Sequence, residues 1–323
     1  MPATITHSYF AKDLYEVLPE SISSKIDLNR TKMFSNSTDS ILFYNLLSFK
    51  SGKSLRRFQK YFHTHRTNYF FINLLEYVKK NKIEDTDTYS FIVGFISHYV
   101  LDSTIHPYIV YKTGMFNKKD KSTYKYNGIH HFMEVFLDND LVRRRENTDP
   151  YKFNMSKYCF DTKKKFSNEL NDTIDYTFYT TFNVKNMSKK YYISLKQMKR
   201  ILKLFRSDKY GIKKFFYKLL DTFTPRSLPR FEVLSYHYTL EDKHNYLNNN
   251  HTIWYNPCDN SISSTESYVD LYLKSLEEAK NIIIKVFCYL NGQDIDLNEL
   301  FKNKSYITGL DCDKEKELKY FEF

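Results

Sequence analysis

Apolar residues recur at spacings of three and four over most of the chain, a pattern typical of helices that bury one face. Near the start, Phe10, Leu14 and Val17 share one face of a helix that begins near Thr6. Strand-like alternation bounded by turn residues is scarce. The pattern therefore predicts an all-α protein.

The same periodicity predicts further helices at residues 66–79, 88–102, 129–145, 163–172, 188–207, 209–222 and 265–291. A shorter apolar segment spans residues 40–47. The helix that starts at residue 88 should stop or kink near His106, because Pro107 disfavours helix in the residue before it. Polar residues 112–127 and the Pro- and Asn-containing residues 223–264 are interpreted as loops.

We expect residues 1–308 to form a single domain and the charged residues 309–323 to form a tail that frays. The longest apolar runs, at 91–96 and 282–287, are too short to cross a bilayer, which takes ~20 residues per helix. The start of the chain has no apolar segment of the kind found in signal peptides. These features predict a cytoplasmic protein.

Charge is positive overall but dispersed. Lys and Arg number 49 against 38 Asp and Glu, a net charge of +11 that could attract phosphates, nucleic acid or an anionic membrane surface. The basic runs at 143–145, 163–165 and 189–190 are short and scattered, whereas phosphate-binding proteins concentrate charge on one face. We interpret most of the charge as solvated helix surface, and nucleic acid stays open as a partner.

The histidines are concentrated in the first part of the chain, where seven of the ten precede residue 132. His98 and Asp102 lie one turn apart on one helix face, and His106 follows one turn later. His130 and Glu134 repeat the spacing. A single pair of this kind is more often a structural ion pair, but the repetition in an apolar context favours a multinuclear zinc or iron site.

Motifs of other hydrolases and nucleotide enzymes are absent. The chain has no HExxH, GxSxG, GxxxxGK[ST] or GxGxxG pattern. These absences argue against zincins, serine hydrolases of the nucleophile-elbow type, P-loop enzymes and dinucleotide-binding proteins.

Five stretches in the first 140 residues resemble the zinc-dependent phospholipase C family in the same order. They are MPATITHSYF, STDSILFY, YFHTHRTNYFF, GFISHYVLDSTIHPY and NGIHHFMEVF. That family is related by fold to secreted bacterial phosphatidylcholine-cleaving phospholipases C and, more remotely, to the S1 and P1 nucleases. The resemblance implies a phospholipase C/P1 nuclease-like multi-helix bundle around a zinc cluster.

Carried over residue by residue, the resemblance implies a cluster of two or three zinc ions. One would be held by Asp39, His63, His98 and Asp102. A second would be held by His106, His130 and Glu134. A third would share Asp102 and be completed by His7. Asp39, where it is not fully occupied as a ligand, is the candidate general base.

This chain departs from the family pattern at the third site. The secreted relatives complete that site with an N-terminal tryptophan, whereas this chain begins Met1-Pro2 and its single tryptophan is Trp254. Either removal of Met1 exposes Pro2 as a substitute ligand, or the third metal is weak or absent. The loop between His106 and His130 is also longer than in the secreted enzymes.

The resemblance implies hydrolysis of a phosphodiester, in a phospholipid headgroup or a related substrate, by a water that zinc activates. A peripheral contact with a membrane surface would follow from a lipid substrate. Two alternatives stay open: a nuclease or nucleotidase with the same zinc site, and a non-catalytic protein stabilised by zinc. An exposed apolar rim would favour a lipid substrate, and a basic groove with stacking aromatics would favour a nuclease.

Overall fold

The computed structural model describes residues 4–46, 53–237, 242, 244–314 and 317–322. In its first half the α-helices are α1 Thr4–Val17, α2 Glu20–Ser23, α3 Leu28–Phe34, α4 Lys53–Thr64, α5 Thr67–Lys80, α6 Thr86–Thr113 and α7 Ile129–Glu146. The later ones are α8 Met155–Tyr158, α9 Asn168–Phe182, α10 Met187–Arg206, α11 Ile212–Phe223, α12 Tyr268–Leu290 and α13 Leu297–Leu300. Short 3₁₀ helices span Ser37–Phe43, Lys121–Tyr126, Pro150–Lys152 and Glu232–Leu234.

The all-α prediction is confirmed, and one small hairpin interrupts the helical pattern in the described residues. Strands β1 (Trp254–Asn256) and β2 (Asp259–Ser264) pair antiparallel, with Trp254 opposite Ser264. A β-bulge follows Tyr255. The hairpin and Glu232–Leu234 lie in the segment that was predicted to be irregular, of which residues 238–241 and 243 are outside the described part.

Helix α6 is the centre of the molecule. It is apolar on all sides along much of its length, and residues 88–103 are all buried. Helices α1, α3, α7, α9 and α12 pack around it, together with β1. A helix that is hydrophobic all round is stable only when other elements cover every face. The residues that α6 carries are therefore held by neighbours from both halves of the chain.

Gly94 allows α3 to cross α6 at very short range. A Cβ at Gly94 would lie 2.6 Å from Phe34 Cβ and 2.9 Å from the backbone nitrogen of Ser35. No side chain fits into such a contact, so only glycine permits it. The close approach brings the Ser35 carbonyl to His98, one turn further along α6.

The sequence predicts that this helix stops or kinks near His106. It does not stop there, because α6 continues through Pro107 to Thr113. Pro107 has no N–H for the Ser103 carbonyl one turn earlier. Gly309 packs against that oxygen, and a Cβ at Gly309 would lie 2.5 Å from it and 3.4 Å from Pro107. Contacts from a distant segment thus outweigh the local preference. His98, Asp102 and His106 consequently lie on three successive turns of one helix.

Several predicted boundaries and faces need correction. The helix expected at 163–172 begins only at Asn168, because the Ser167 hydroxyl accepts a hydrogen bond from Leu170 N and caps it there. Val17 is 41% exposed instead of sharing the buried face of α1. The segment expected at 40–47 is a 3₁₀ helix over Ser37–Phe43, and Leu47 lies outside the described residues.

Helix α11 confirms the helix predicted at 209–222, but its orientation is unusual. Its apolar side chains face solvent, and Phe223 is 82% exposed. Its half-buried residues are polar or amphipathic: Lys213, Lys214, Tyr217 and Asp221. The periodicity therefore predicts the helix correctly but not the side that faces the body.

The described part of the C-terminal tail packs on the body, contrary to the expectation that it frays. Glu322 N donates to the carbonyl of Tyr111, and the Lys112 ammonium pairs with the Glu322 carboxylate at 2.6 Å. The division into a domain over 1–308 and a tail over 309–323 stays a prediction. No described helix is both long enough and apolar enough to cross a bilayer.

Candidate metal centre

Two helices and a 3₁₀ helix bring the first group of predicted ligands together. Asp39 lies in the 3₁₀ helix, His63 in the last turn of α4, and both His98 and Asp102 on α6. His63 Nε2 lies 3.3 Å from Asp39 Oδ1 and 3.4 Å from His98 Nε2. His98 Nε2 lies 3.1 Å from Asp102 Oδ2 and 3.8 Å from Asp39 Oδ2. Ligands of a tetrahedral zinc site are separated by about 3.3 Å, so these atoms converge at suitable distances.

His7 joins this group from α1. Its Nε2 lies 3.2 Å from Asp102 Oδ1, and its ring stacks on that of His98 with 4.4 Å between centroids. Both His7 and Asp102 are buried. His7 thus lies beside Oδ1 of Asp102, whereas His98 lies beside Oδ2. This is the arrangement that the prediction of a shared carboxylate requires.

The second group lies one turn further along α6. His106 Nε2 is 3.8 Å from Glu134 Oε1, and His130 Nε2 is 3.0 Å from the same oxygen. Ligand atoms of His106, His130 and Glu134 all lie within 4.8 Å of one another, as do those of His7, Asp39, His98 and Asp102. His106 Nδ1 is 3.6 Å from Asp102 Oδ2, so Asp102 connects the two groups.

His131 contacts the other oxygen of Glu134. Its Nδ1 lies 3.1 Å from Glu134 Oε2, and its side chain is 43% exposed, compared with 21% for His130. Consecutive helix residues point about 100° apart, which explains why only one of the two rings faces His106. The geometry favours His130 for the second group.

Backbone carbonyls hold three of the imidazoles by their second nitrogen. Nδ1 of His98 lies 2.9 Å from the Ser35 carbonyl, Nδ1 of His63 lies 2.7 Å from that of Gln59, and Nδ1 of His106 lies 2.9 Å from that of Tyr306. A carbonyl only accepts hydrogen bonds, so each Nδ1 carries the proton. The Nε2 lone pairs are left for a metal, which is the arrangement of metal-binding histidines.

The electrostatics of the cluster show which groups are charged. Burial by itself would raise the pKa of Asp102, but His106, His98 and His7 hold that pKa well below its usual range. Burial lowers the pKa of His106, whereas the carboxylates of Asp102 and Glu134 raise it, to about 9. Asp102 is therefore ionised, and without a metal a proton on His106 supplies part of the balancing positive charge.

The donor set fits zinc. Imidazole nitrogens and carboxylate oxygens are ligands that zinc accepts in tetrahedral sites. Asp39 Oδ2 and Asp102 Oδ2 are buried, and neither accepts a hydrogen bond from any described residue. Buried anionic oxygens of this kind are costly unless a cation compensates them. A cavity between the two groups is lined by His7, Asp102, His106, Glu134 and Tyr268, together with apolar side chains.

Several residues that hold the site had no sequence signal. Gln59 donates from Nε2 to Asp39 Oδ1 at 2.7 Å, while its carbonyl holds His63. On α7, the Asp138 carboxylate accepts hydrogen bonds from Ile5 N and Thr6 N and so caps the helix that carries His7. Burial raises the pKa of Asp138 to about 6. The spacing of Gln59, one turn before His63 on α4, is the only one of these features that a sequence could have suggested.

The remaining histidines lie elsewhere in the described structure. His65 is exposed and stacks on Tyr61, and His237 stacks on Tyr151. His251 pairs with Asp270 at 3.6 Å, and the ring of His244 lies 5.3 Å from that of Tyr246. None of these four histidines joins the two groups.

The fold and the site together define an all-α protein with a buried cluster of histidines and carboxylates suited to zinc. Comparison with known proteins identifies the family of this chain. Residues 6–184 match the model of the zinc-dependent phospholipase C family, and the chain belongs to that family. No curated protein and no solved structure matches the chain significantly. The matched range includes every predicted ligand and ends before α10.

Proposed function

We propose that the protein is a zinc-dependent phosphodiester hydrolase that cleaves the headgroup of a phospholipid. The observation that carries this proposal is the position of Asp102, whose Oδ1 lies 3.2 Å from His7 Nε2 and whose Oδ2 lies 3.1 Å from His98 Nε2. A carboxylate shared between two sets of imidazoles is suited to joining two cations a short distance apart. Phosphodiester hydrolysis uses such pairs of cations.

We assign the proposed ligands to the sets that the resemblance to the family implies. Asp39, His63, His98 and Asp102 would hold one zinc. His106, His130 and Glu134 would hold a second, and His7 with Asp102 would contribute to a third. Zinc bound there supplies Lewis acidity, which polarises phosphoryl oxygens and lowers the pKa of a bound water.

The protein's own residues orient the site. The carbonyls of Ser35, Gln59 and Tyr306 fix three rings, and Gln59 also fixes the Asp39 carboxylate through its side chain. Both oxygens of Asp39 lie within 3.8 Å of a cluster imidazole, which favours a ligand role. Its role as general base stays a prediction.

Two features support a phospholipid as the substrate. Phospholipases C hydrolyse the bond between the glycerol oxygen and phosphorus, adding water to yield a diacylglycerol and a phosphorylated headgroup. The name of the family supports this class, and an exposed apolar surface is what a lipid substrate requires at the approach to the site. The outward face of α11 is an exposed apolar surface, and the segment after this helix is hydrogen-bonded to Asn127, just before α7.

The test compares the wild type with Asp102→Asn and, as a matched control, Asp140→Asn. Asp140 lies on the outer part of α7, where its carboxylate pairs with Arg144. After loading with zinc, the wild type and Asp140→Asn should hydrolyse a chromogenic phosphodiester and release diacylglycerol from phospholipid vesicles. Asp102→Asn should lose zinc and at least about a hundredfold in rate.

Two results would contradict the proposal. One is a zinc-loaded wild type that hydrolyses neither substrate, which would favour the non-catalytic alternative. The other is cleavage of single-stranded nucleic acid much faster than of either substrate, which would favour the nuclease alternative.

A further inference from the structure

Helix α11 presents a continuous apolar stripe to solvent. Its exposed apolar side chains follow spacings of three and four along the helix: Ile212, Phe215, Phe216, Leu219, Leu220 and Phe223. Their exposed fractions run from 48% at Leu219 to 82% at Phe223. Isolated exposed apolar residues are ordinary, but a full helix face of them marks a binding surface.

The opposite face of α11 is attached to the body, so the stripe is held outward. Lys213 Nζ donates to the carbonyl of Ser207 at 2.7 Å, and Tyr217 donates to that of Phe205. The Asp221 carboxylate accepts hydrogen bonds from the backbone nitrogens of Phe231 and Glu232 at 2.8 and 2.9 Å. Turning the helix to bury its stripe would break all of these bonds.

The charge around the stripe is positive. Residues 203–232 contain eight basic and three acidic residues. Two of the acids are used within the fold, because Asp208 accepts from Ser235 and Asp221 accepts as described above. Lys209, Lys218 and Arg226 are exposed. A second copy of this surface would be repelled, whereas an anionic lipid surface would be attracted.

The segment after α11 is joined to the start of α7, which carries two of the proposed ligands. The Asn127 side chain donates to the carbonyls of Arg226 and Leu228 at 2.8 and 2.6 Å, which joins the segment after α11 to the turn before α7. Arg230 packs against Gly128 in that turn. His130 follows directly on α7, and its side chain is 21% exposed, the most of the eight proposed ligands. The most exposed of the proposed ligands therefore lies two residues after the turn that holds the segment following α11.

We propose that α11 docks the protein on an anionic lipid bilayer, with the apolar stripe inserted among the lipids and the flanking cations at the headgroups. Amphipathic helices with this combination of features lie in the plane of the membrane interface. The proposal deepens the proposed function and rests on it for the substrate. The helix lies outside residues 6–184, which match the family model, so the docking proposal does not rest on that match.

The test uses the full-length chain and a triple variant, Ile212→Gln/Phe216→Gln/Phe223→Gln. The control variant, Tyr69→Gln/Val269→Gln/Leu273→Gln, replaces side chains of similar exposure on α5 and α12. Each protein is sedimented with vesicles of phosphatidylcholine containing about 30% phosphatidylserine, and with vesicles of phosphatidylcholine alone. Hydrolysis of the soluble chromogenic phosphodiester is measured in parallel.

Wild type and control should bind the anionic vesicles, and the triple variant should bind at least about tenfold more weakly. Rates on the soluble substrate should agree within about twofold, because the variants leave the metal ligands untouched. Unchanged vesicle binding by the triple variant would overturn the proposal, as would a wild-type protein that binds no vesicles but forms dimers through the stripe. Vesicle binding that follows the prediction without any hydrolysis would contradict the proposed function and leave the docking proposal standing.

Discussion

At the scale of single residues, Asp102 is a buried carboxylate that carries a negative charge inside the fold. It is 3% exposed and ionised, yet no described residue donates a hydrogen bond to its Oδ2. An anionic oxygen in such a position destabilises a fold unless cations surround it. A proton on His106, whose pKa the neighbouring carboxylates raise to about 9, supplies part of that charge without a metal, and zinc would supply the rest.

The two adjacent histidines of α7 give a test of the ligand assignment. His130→Ala should lose about one zinc per chain and most of the hydrolytic rate, because its Nε2 faces Glu134 beside His106. His131→Ala serves as the matched control and should keep its zinc. Metal analysis by mass spectrometry, together with the rate on the chromogenic phosphodiester, checks both variants. Zinc loss from His131→Ala alone would mean that the other ring is the ligand.

The sequence could predict those site residues that share a helix. The one-turn spacing relates His98, Asp102 and His106, and it relates His130 to Glu134. Asp39 and His63 could be assigned only through the resemblance to the family, because no local spacing links them to α6. The carbonyls of Ser35 and Tyr306 had no signal at all, since any residue type supplies a carbonyl and only the tertiary fold decides where it points.

At the scale of elements, the crossing of α3 and α6 connects stability to the metal centre. Gly94→Ala should lower the free energy of unfolding by up to about 2 kcal/mol, because a packing cost of about 1–3 kcal/mol is offset by a gain of only about 1 kcal/mol in helix propensity. Zinc should also be bound more weakly, since displacing α3 moves the Ser35 carbonyl away from His98. Urea denaturation and zinc titration measure the two effects.

Gly94→Ser provides the graded comparison for this prediction. Its larger side chain should destabilise the protein more than Gly94→Ala does. An increase in the free energy of unfolding in Gly94→Ala would contradict the described crossing of α3 and α6, because it would mean that the space beside Gly94 is open.

The positions of the helices could be predicted from the sequence where the apolar spacing is regular. Helix ends and orientations could not be predicted where contacts between residues distant in the sequence determine them. The periodicity located α5, α7, α10 and α12 to within a few residues. The end expected at Pro107 was wrong, because Gly309 packs against the Ser103 carbonyl that the proline leaves without a helical partner. The outward orientation of α11 was not predicted either, because the apolar face of a helix normally points towards the core.

For the whole molecule, the location of the cluster on the central helix means that metal and fold should stabilise each other. Chelation of zinc should lower the melting temperature by roughly 5–10 °C, because a ligand at a thousandfold excess over its Kd stabilises the native state by ~4 kcal/mol. Adding back zinc should restore the original value, and magnesium should not, since imidazole ligands suit zinc better. Differential scanning calorimetry makes the measurement. A melting temperature that stays constant after complete zinc removal would contradict this coupling.

The central claim is that two groups of side chains joined by Asp102 hold zinc. It is tested most directly by anomalous diffraction from crystals of the zinc-loaded protein, recorded on both sides of the zinc absorption edge. We expect one peak among Asp39, His63, His98 and Asp102, and a second among His106, His130 and Glu134. A further peak between His7 and Asp102 would correspond to the third site. Crystals grown with zinc that show no peak at either of the first two positions would mean that these side chains do not hold zinc.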